Sequence, residues 1–271
     1  MNIHTIILAA GKGTRMNTNL PKVMQPLGGH TLISHVIKTA KTNSKDVTIV
    51  VGHQKDLLKE HIASIDPSIQ TVDQNEQLGT AHAVKTAAHL IQDNEKVLVL
   101  YGDVPLISNE TIEALISSGQ ECTLLSMMLN DPTGYGRIIT NKENLALRII
   151  EQKDASSEER KIQEVFTGIL LIDGSLLKPA LDEIKNQNAA NEYYLTDLVE
   201  ILSAKGVKIN CIQADPAEVV GANNKHELHE LESILRKMSA EKLLEQGITL
   251  LDSARIDVRG EVEAGKDCSV D

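Results

Sequence analysis

Between residues 3 and 117 the chain alternates, four times over, a short apolar run with a longer segment of helical character. Ile3–Leu8 precedes a loop and a helix over Thr31–Thr42, and Asp46–Val51 precedes a helix over Gln54–Ser64. Ile69–Val72 leads into a helix over Gly79–Ile91, and Lys96–Tyr101 into one over Glu110–Ser117. Apolar runs of this length read as buried strands. Repeated β-then-α order calls for a parallel sheet with helices on both faces. Ligands of such sheets bind beyond the carboxyl ends of the strands. Two loops stand at such ends, Ala9–Arg15 and the Gly102-Asp103 turn.

From Glu121 onward the pattern is richer in strands. Cys122–Met128, Arg137–Thr140, Leu145–Ile150 and Val165–Ile172 follow one another with few helical residues between them, which points to a mixed, partly antiparallel extension of the sheet. Asp154–Gln163 is charged and reads as an exposed loop, followed by a helix over Leu195–Ala204 and a strand over Lys208–Ile212. Residues Asn224 to Gln246 form a long polar helix, with Leu228, Leu231, Ile234, Leu235, Met238 and Leu243 at helical spacing. Gly247 is a natural stop.

Composition removes several classes of function. The net charge of −11 argues against a polyanionic partner such as nucleic acid. With no Trp and one Phe, stacking platforms for single strands are not expected either. The apolar runs are of strand length, so no membrane span is expected. Met1-Asn-Ile-His lacks the basic and apolar regions of a signal peptide. Cys122, Cys211 and Cys268 are far apart and show neither metal spacing nor a disulfide framework. The cytosol is the economical location.

The loop after the first strand carries the first chemistry. Leu8-Ala-Ala-Gly-Lys-Gly-Thr-Arg-Met16 and Leu20-Pro-Lys-Val-Met-Gln-Pro26 combine small residues with Lys12, Arg15 and Lys22. Gly11 and Gly13 allow close approach of the backbone, and N–H groups with Lys and Arg suit a triphosphate. The spacing is not that of a P-loop, since Thr14 follows Gly13, nor that of the dinucleotide fingerprint, since Met16 stands where a third glycine belongs. Asp103, beside Gly102 at a strand end, is a hard oxygen ligand suited to Mg²⁺, although a lone aspartate there equally fits a turn. In Gln74-x-x-Gln77-Leu-Gly-Thr80-Ala-His-Ala83 the amides can donate and accept, as the imide edge of uracil requires. The same stretch also reads as a polar helix entry.

The string A-A-G-x-G-T-R-M followed by L-P-K resembles the signature of the sugar-nucleotide pyrophosphorylases. The later motifs are similar to the uridyltransferase domain of bacterial N-acetylglucosamine-1-phosphate uridyltransferases, over nearly the whole chain. The resemblance implies a Rossmann-like α/β nucleotidyltransferase domain with a mixed, mainly parallel sheet over residues 1–223. A linker helix over 224–247 and the start of a left-handed parallel β-helix over 248–271 would follow. Ile256, Val262 and Cys268 would mark its six-residue steps. So short a solenoid suggests a truncation or a version without the second, acetyltransferase activity.

The implied reaction joins UTP to N-acetylglucosamine 1-phosphate with Mg²⁺, a step of peptidoglycan and lipopolysaccharide precursor synthesis. Arg15 and Lys22 carry over as catalytic residues, and Leu8, Ala9, Ala10, Gly11, Gln74, Gly79 and Thr80 as nucleotide contacts. Asp103 and Asn223, the latter in Val219-Val-Gly-Ala-Asn223, carry over as metal ligands. Gly136, Glu151, Phe166, Tyr194 and Thr196 carry over as sugar-phosphate contacts. One departure stands out: the family has an asparagine before Thr-Gly-Ile, and here the residue is Phe166. The full-length family is trimeric through its β-helix, which leaves a monomer open for this chain. A transferase for another sugar phosphate, and a non-catalytic nucleotide-sensing or assembly subunit, are the alternatives.

Overall fold

The first strand, β1 (Ile3–Ala9), is buried at every residue. A strand covered on both faces by helices carries apolar residues on both, and β1 does so at all positions but His4 and Thr5. A computed structural model describes residues 2–260 and 262–271. It adds β2 (Asp46–Val51), β3 (Gln70–Asp73), β4 (Lys96–Tyr101), β5 (Cys122–Met128), β6 (Gly136–Thr140), β7 (Ala146–Ile150), β8 (Glu164–Asp173) and β9 (Ile209–Gln213). Among the described residues these form one nine-stranded sheet with a main path β9-β5-β8-β4-β1-β2-β3.

β1 pairs in parallel with β2 on one side and β4 on the other, and β3 continues in parallel from β2. The chain therefore builds outward through β2 and β3, then crosses back to place β4 against β1. The crevice between the carboxyl ends of β1 and β4 is the switch point at which such sheets hold ligands. β8 runs antiparallel to both β4 and β5, and β6 joins it to the β6–β7 hairpin. The Rossmann-like, mixed and mainly parallel sheet is thus as expected.

Seven helices are labelled here: α1 (Leu32–Asn43), α2 (Lys55–Ile65), α3 (Thr80–Ala87), α4 (Asn109–Ser117), α5 (Gly174–Glu183), α6 (Asp197–Ala204) and α7 (Lys225–Glu245). The expected Gly79–Ile91 helix is α-helical only to Ala87 and tightens into a 3-10 turn over Ala88–Leu90. α5 has no counterpart in the sequence-based expectation; Pro179 lies inside it, where proline ordinarily argues against a helix. The charged Asp154–Gln163 stretch is largely exposed and carries a 3-10 turn over Glu159–Lys161.

Alternation along each strand divides the core between the two faces of the sheet. Ile6, Leu8, Val97 and Val99 pack with α3, α5 and α6 through Val84, Leu177 and Leu198. Ile7, Ala9, Leu98 and Leu100 pack with α1, α2 and α4 through Val36, Leu58 and Leu115. A third, smaller cluster of Met16, Leu27, Leu32, Leu106, Ala222 and Leu231 seats α7. Beyond α7, Thr249–Leu250 pairs in parallel with Ser269–Val270, a single two-residue rung. Met1, in the expected first unit, and Glu261, in the expected third, lie outside the described residues. Among the described residues no helix is long and apolar enough to cross a membrane.

Leu98 sits fully buried on β4, one of the two strands that frame the crevice. Leu98→Ala is expected to lower stability by about 3 kcal/mol, transfer and cavity terms together. Guanidinium unfolding checks this: the midpoint should fall with an unchanged slope.

Candidate active site

A cleft of about 710 Å³ opens at the crevice. Its first wall is the chain that leaves β1, with Leu8, Ala9, Ala10, Gly11 and Arg15 all lining it. Gly13 turns the loop with φ 56°, and Met16 N–H donates to its carbonyl at 3.0 Å. A Cβ at Gly13 would lie 2.5 Å from the Cβ of Lys22, so the missing side chain is what lets the lysine stem close against the loop. Met16 is fully buried in the third core cluster, so the side chain at the third-glycine position anchors the loop.

Beside this wall the fold brings together three groups scattered through the sequence. Lys22 Nζ donates to Asp103 Oδ2, 81 positions away. It also donates to Asn223 Oδ1 at 3.2 Å, across 201 positions. Asp103 leaves the end of β4 in a turn closed by Val104 N–H to the Tyr101 carbonyl at 3.1 Å. The Val219–Asn223 strip lies against that turn, with Ala222 N–H donating to the Asp103 carbonyl at 3.3 Å. Asn223 is held in turn by Glu227, whose Oε2 accepts its backbone N–H at 2.7 Å and its side-chain Nδ2 at 3.0 Å.

Two oxygens from Asp103 and Asn223 thus converge on one cation, here the lysine ammonium. A carboxylate and an amide oxygen are hard donors, and Mg²⁺ commonly takes one or two protein ligands with substrate phosphates completing its shell. The donor set therefore fits a divalent cation. Among the described residues no group of three or more His, Cys, Asp or Glu side chains could hold a metal by itself.

The second wall carries the glutamines. Gln74 is 3 % exposed, its N–H on the Val51 carbonyl at 2.7 Å. Its Nε2 donates to the Gly79 carbonyl at 3.2 Å and to His82 Nδ1 at 3.0 Å. The acceptor nitrogen of His82 thereby orients the Gln74 amide. Gly79 adopts φ 121°, and a Cβ there would overlap the Tyr193 backbone. Thr80 Oγ1 accepts the Leu195 N–H at 2.9 Å, which couples this wall to the 193–196 segment instead of capping α3. Gln74, Gly79 and Thr80 all line the cleft.

The five expected sugar-phosphate residues are placed differently. Gly136, Glu151, Phe166, Tyr194 and Thr196 cluster on one side without lining the open cleft, whose wall there includes Tyr135, Thr167 and Glu192. Thr196 Oγ1 donates to Glu151 Oε1 at 3.1 Å, and the Glu151 carboxyl lies 3.7 Å from where a Gly136 Cβ would be. Burial pushes the Glu151 carboxyl above the ordinary range, with Asp154 and Glu192 adding to the effect. Burial and the carboxylates of Asp154, Glu151, Glu192 and Asp197 push the Tyr194 phenol up to about 12. Phe166 is 5 % exposed, opposite Gly136 in the sheet and part of the same core cluster as Ile138, Ile149 and Leu195.

Glu227 lines the cleft without having been singled out from the sequence. For Glu227 a signal existed: Asn224-x-x-Glu227 ahead of a helix has the form of a capping box. A separate cavity of about 500 Å³ lies at the amino ends of the strands, around His4, Asp46 and Glu95, and contains none of the expected residues.

Residues 5–163 match the MobA-like NTP transferase domain. The chain belongs to this family. The NTP transferase is 44 % identical over a 275-residue alignment to the bifunctional protein GlmU of Idiomarina loihiensis, covering 100 % of this chain and 60 % of the relative. It is 44 % identical over 272 residues to the GlmU of Hydrogenovibrio crunogenus, covering 98 % of this chain and again 60 % of the relative. The NTP transferase thus spans about three-fifths of the length of these curated relatives. A UDP-glucose pyrophosphorylase solved with UDP-glucose shares the fold at a TM-score of 0.71 and 20 % identity, over 88 % of this chain and 100 % of that one.

Asp197, the first residue of α6, is pushed up to about 6 by burial and then by Glu200, Glu151 and Asp154. An acid whose folded pKa exceeds its unfolded value costs stability as it ionises. Stability should therefore fall as pH rises from about 4 to 6, by roughly 1 kcal/mol after solvent screening. Asp197→Asn should remove that component, which urea unfolding at several pH values would reveal.

Proposed function

We propose that this NTP transferase moves a uridylyl group from UTP to N-acetylglucosamine 1-phosphate, releasing pyrophosphate. The observation that carries the reading is the convergence of Lys22, Asp103 and Asn223 beside the β1 loop, at the switch point of the sheet. The 44 % identity to GlmU proteins over the whole chain supports the choice of substrates.

The nucleophile is an oxygen of the sugar phosphate, attacking the α-phosphorus in line with the departing pyrophosphate. A phosphate monoester is already an anion, so the protein need not supply a general base. Its work is alignment and neutralisation of charge. Leu8 to Gly11 present backbone to the nucleotide, while Gln74, with its amide hydrogens committed to Gly79 and His82, and Gly79 form the uracil side. Arg15 faces the leaving pyrophosphate. Lys22 exchanges its carboxylate partner for oxygens of the α-phosphate. Asp103 and Asn223 would hold Mg²⁺, which would supply positive charge to neutralise the reacting phosphates.

On the acceptor side, the Glu151 carboxyl, steadied by Thr196 and with Tyr194 and Gly136 beside it, would take hydrogen bonds from sugar hydroxyls once the wall of Tyr135, Thr167 and Glu192 parts to admit the sugar. Phe166 fills core space in place of an amide, so packing from that residue supports this wall. Residues 248–271 are read as the start of a hexapeptide β-helix beyond the linker helix, consistent with their one parallel rung. The enzyme would then act in the cytoplasm on soluble substrates of peptidoglycan and lipopolysaccharide synthesis.

Pyrophosphate release with Mg²⁺ tests the proposal, crossing UTP, dTTP, CTP and GTP against N-acetylglucosamine, glucose and galactose 1-phosphates. Turnover confined to UTP with N-acetylglucosamine 1-phosphate is expected. Silence from a folded protein that binds UTP would overturn it in favour of a sensing or assembly role. Arg15→Ala should lower kcat by about 100-fold or more, the scale of losing one transition-state charge contact, with an unchanged melting temperature. Phe166→Asn should leave the ranking of the three sugar phosphates unchanged; a new ranking would make Phe166 a determinant of acceptor choice.

A further inference from the structure

We propose that Glu227 is a positioning residue for the divalent cation, acting by deciding which end of the Asn223 amide faces the cleft. The proposal rests on the reading of Asp103 and Asn223 as the ligands of that cation. An asparagine amide has an acceptor end and a donor end of similar shape, and a half-turn exchanges them. A cation is attracted by Oδ1 and repelled by the Nδ2 hydrogens, so a ligand asparagine must be held one way round.

Glu227 supplies that restraint. An ionised carboxylate only accepts hydrogen bonds. Its Oε2 takes the Asn223 backbone N–H at 2.7 Å and an Nδ2 hydrogen of the same residue at 3.0 Å. Its Oε1 takes a hydrogen from Asn224 Nδ2. The reversed Asn223 amide would set Oδ1 against this carboxylate, lone pairs to lone pairs. The observed orientation leaves Oδ1 on the cleft side, 3.2 Å from Lys22 Nζ.

The carboxylate is itself held in place. Glu227 is the third residue of α7, and the Asn224 side chain accepts the His226 and Glu227 N–H groups, both at 2.9 Å. Lys225 Nζ donates to Gln25 Oε1, and Glu232 Oε2 accepts the Gly28 N–H at 3.0 Å. The first two turns of α7 are thereby fastened to the segment between β1 and α1. Asn223 precedes the helix in an irregular strip, and its side chain is held by Glu227 on one side and Lys22 on the other. Partners that orient a metal ligand commonly change metal affinity by about 10- to 100-fold when removed.

The test is Mn²⁺ binding in the presence of UTP and without acceptor, followed by the EPR signal of free Mn²⁺, with melting temperatures measured alongside. Wild type, Glu227→Ala, Glu227→Gln and Asn223→Ala are compared. Glu227→Ala should bind Mn²⁺ about 10- to 100-fold more weakly. Glu227→Gln, whose amide oxygen can still accept both Asn223 hydrogens, should recover most of the affinity. A lowered melting temperature in Glu227→Ala with wild-type Mn²⁺ affinity would reduce Glu227 to a helix cap and overturn the proposal. Glu227→Gln binding as weakly as Glu227→Ala would overturn it too, since charge and not amide orientation would then be responsible. If Asn223→Ala binds Mn²⁺ like wild type, the ligand assignment beneath the proposal fails instead.

Discussion

Everything at the cleft depends on β1 being paired in parallel along both edges. With β2 and β3 on one side and β4 on the other, the chain leaving β1 and the chain leaving β4 emerge side by side at one end of the sheet. The peptide N–H groups of the first loop and the carboxylate of Asp103 are placed by that topology alone. Helices on both faces bury all seven residues of β1; five are apolar, and the two polar ones, His4 and Thr5, are satisfied by the hydroxyls of Thr48 and Ser44.

Charge is organised around this frame in two different ways. At the crevice, Lys22 is balanced by Asp103 and Asn223, a compact set in which a cation already has two oxygen neighbours. Around Glu151, burial raises the Glu151 and Asp197 carboxyls, and the neighbouring charges of Asp154, Glu192 and Glu200 add to the effect. The first arrangement suits a doubly charged cation with phosphates. The second gathers carboxyl groups and so favours hydrogen bonding to neutral hydroxyls over binding of anions. The two regions meet at Tyr101, a cleft-lining residue whose phenol is raised by burial and then by Glu151 and Asp103.

The elements that matter most for the fold were legible because their signals are local. Four strand-to-helix units between residues 3 and 117 show the period of each element directly, and the helices that α1, α2 and α4 became differ from expectation by a residue or two at their ends. α5 was not legible, because Pro179 contradicts the local pattern and tertiary packing of Leu177 and Ala180 overrides it. The small, basic loop after the first strand was legible, but the reason for Met16 was not, since it lies in a core formed with Leu27 and Leu231. The first-loop residues and Gln74, Gly79 and Thr80, expected from the sequence to face a nucleotide, line the cleft. The sugar-phosphate set lies behind its wall.

The sequence by itself determined the class of fold, the loop of small and basic residues at the end of the first strand, and the inventory of side chains able to bind phosphate. These follow from periodicity and residue chemistry, which act over a few positions. Only the tertiary structure decided that Lys22, Asp103 and Asn223 meet, that Glu227 holds Asn223, and that Thr196 steadies Glu151. Those partners are separated by 81 and 201 positions in the first case and 45 in the last, so nothing local in the chain specifies them. Even the four-residue link from Asn223 to Glu227 acquires its meaning only where the start of α7 is docked against the turn that carries Asp103.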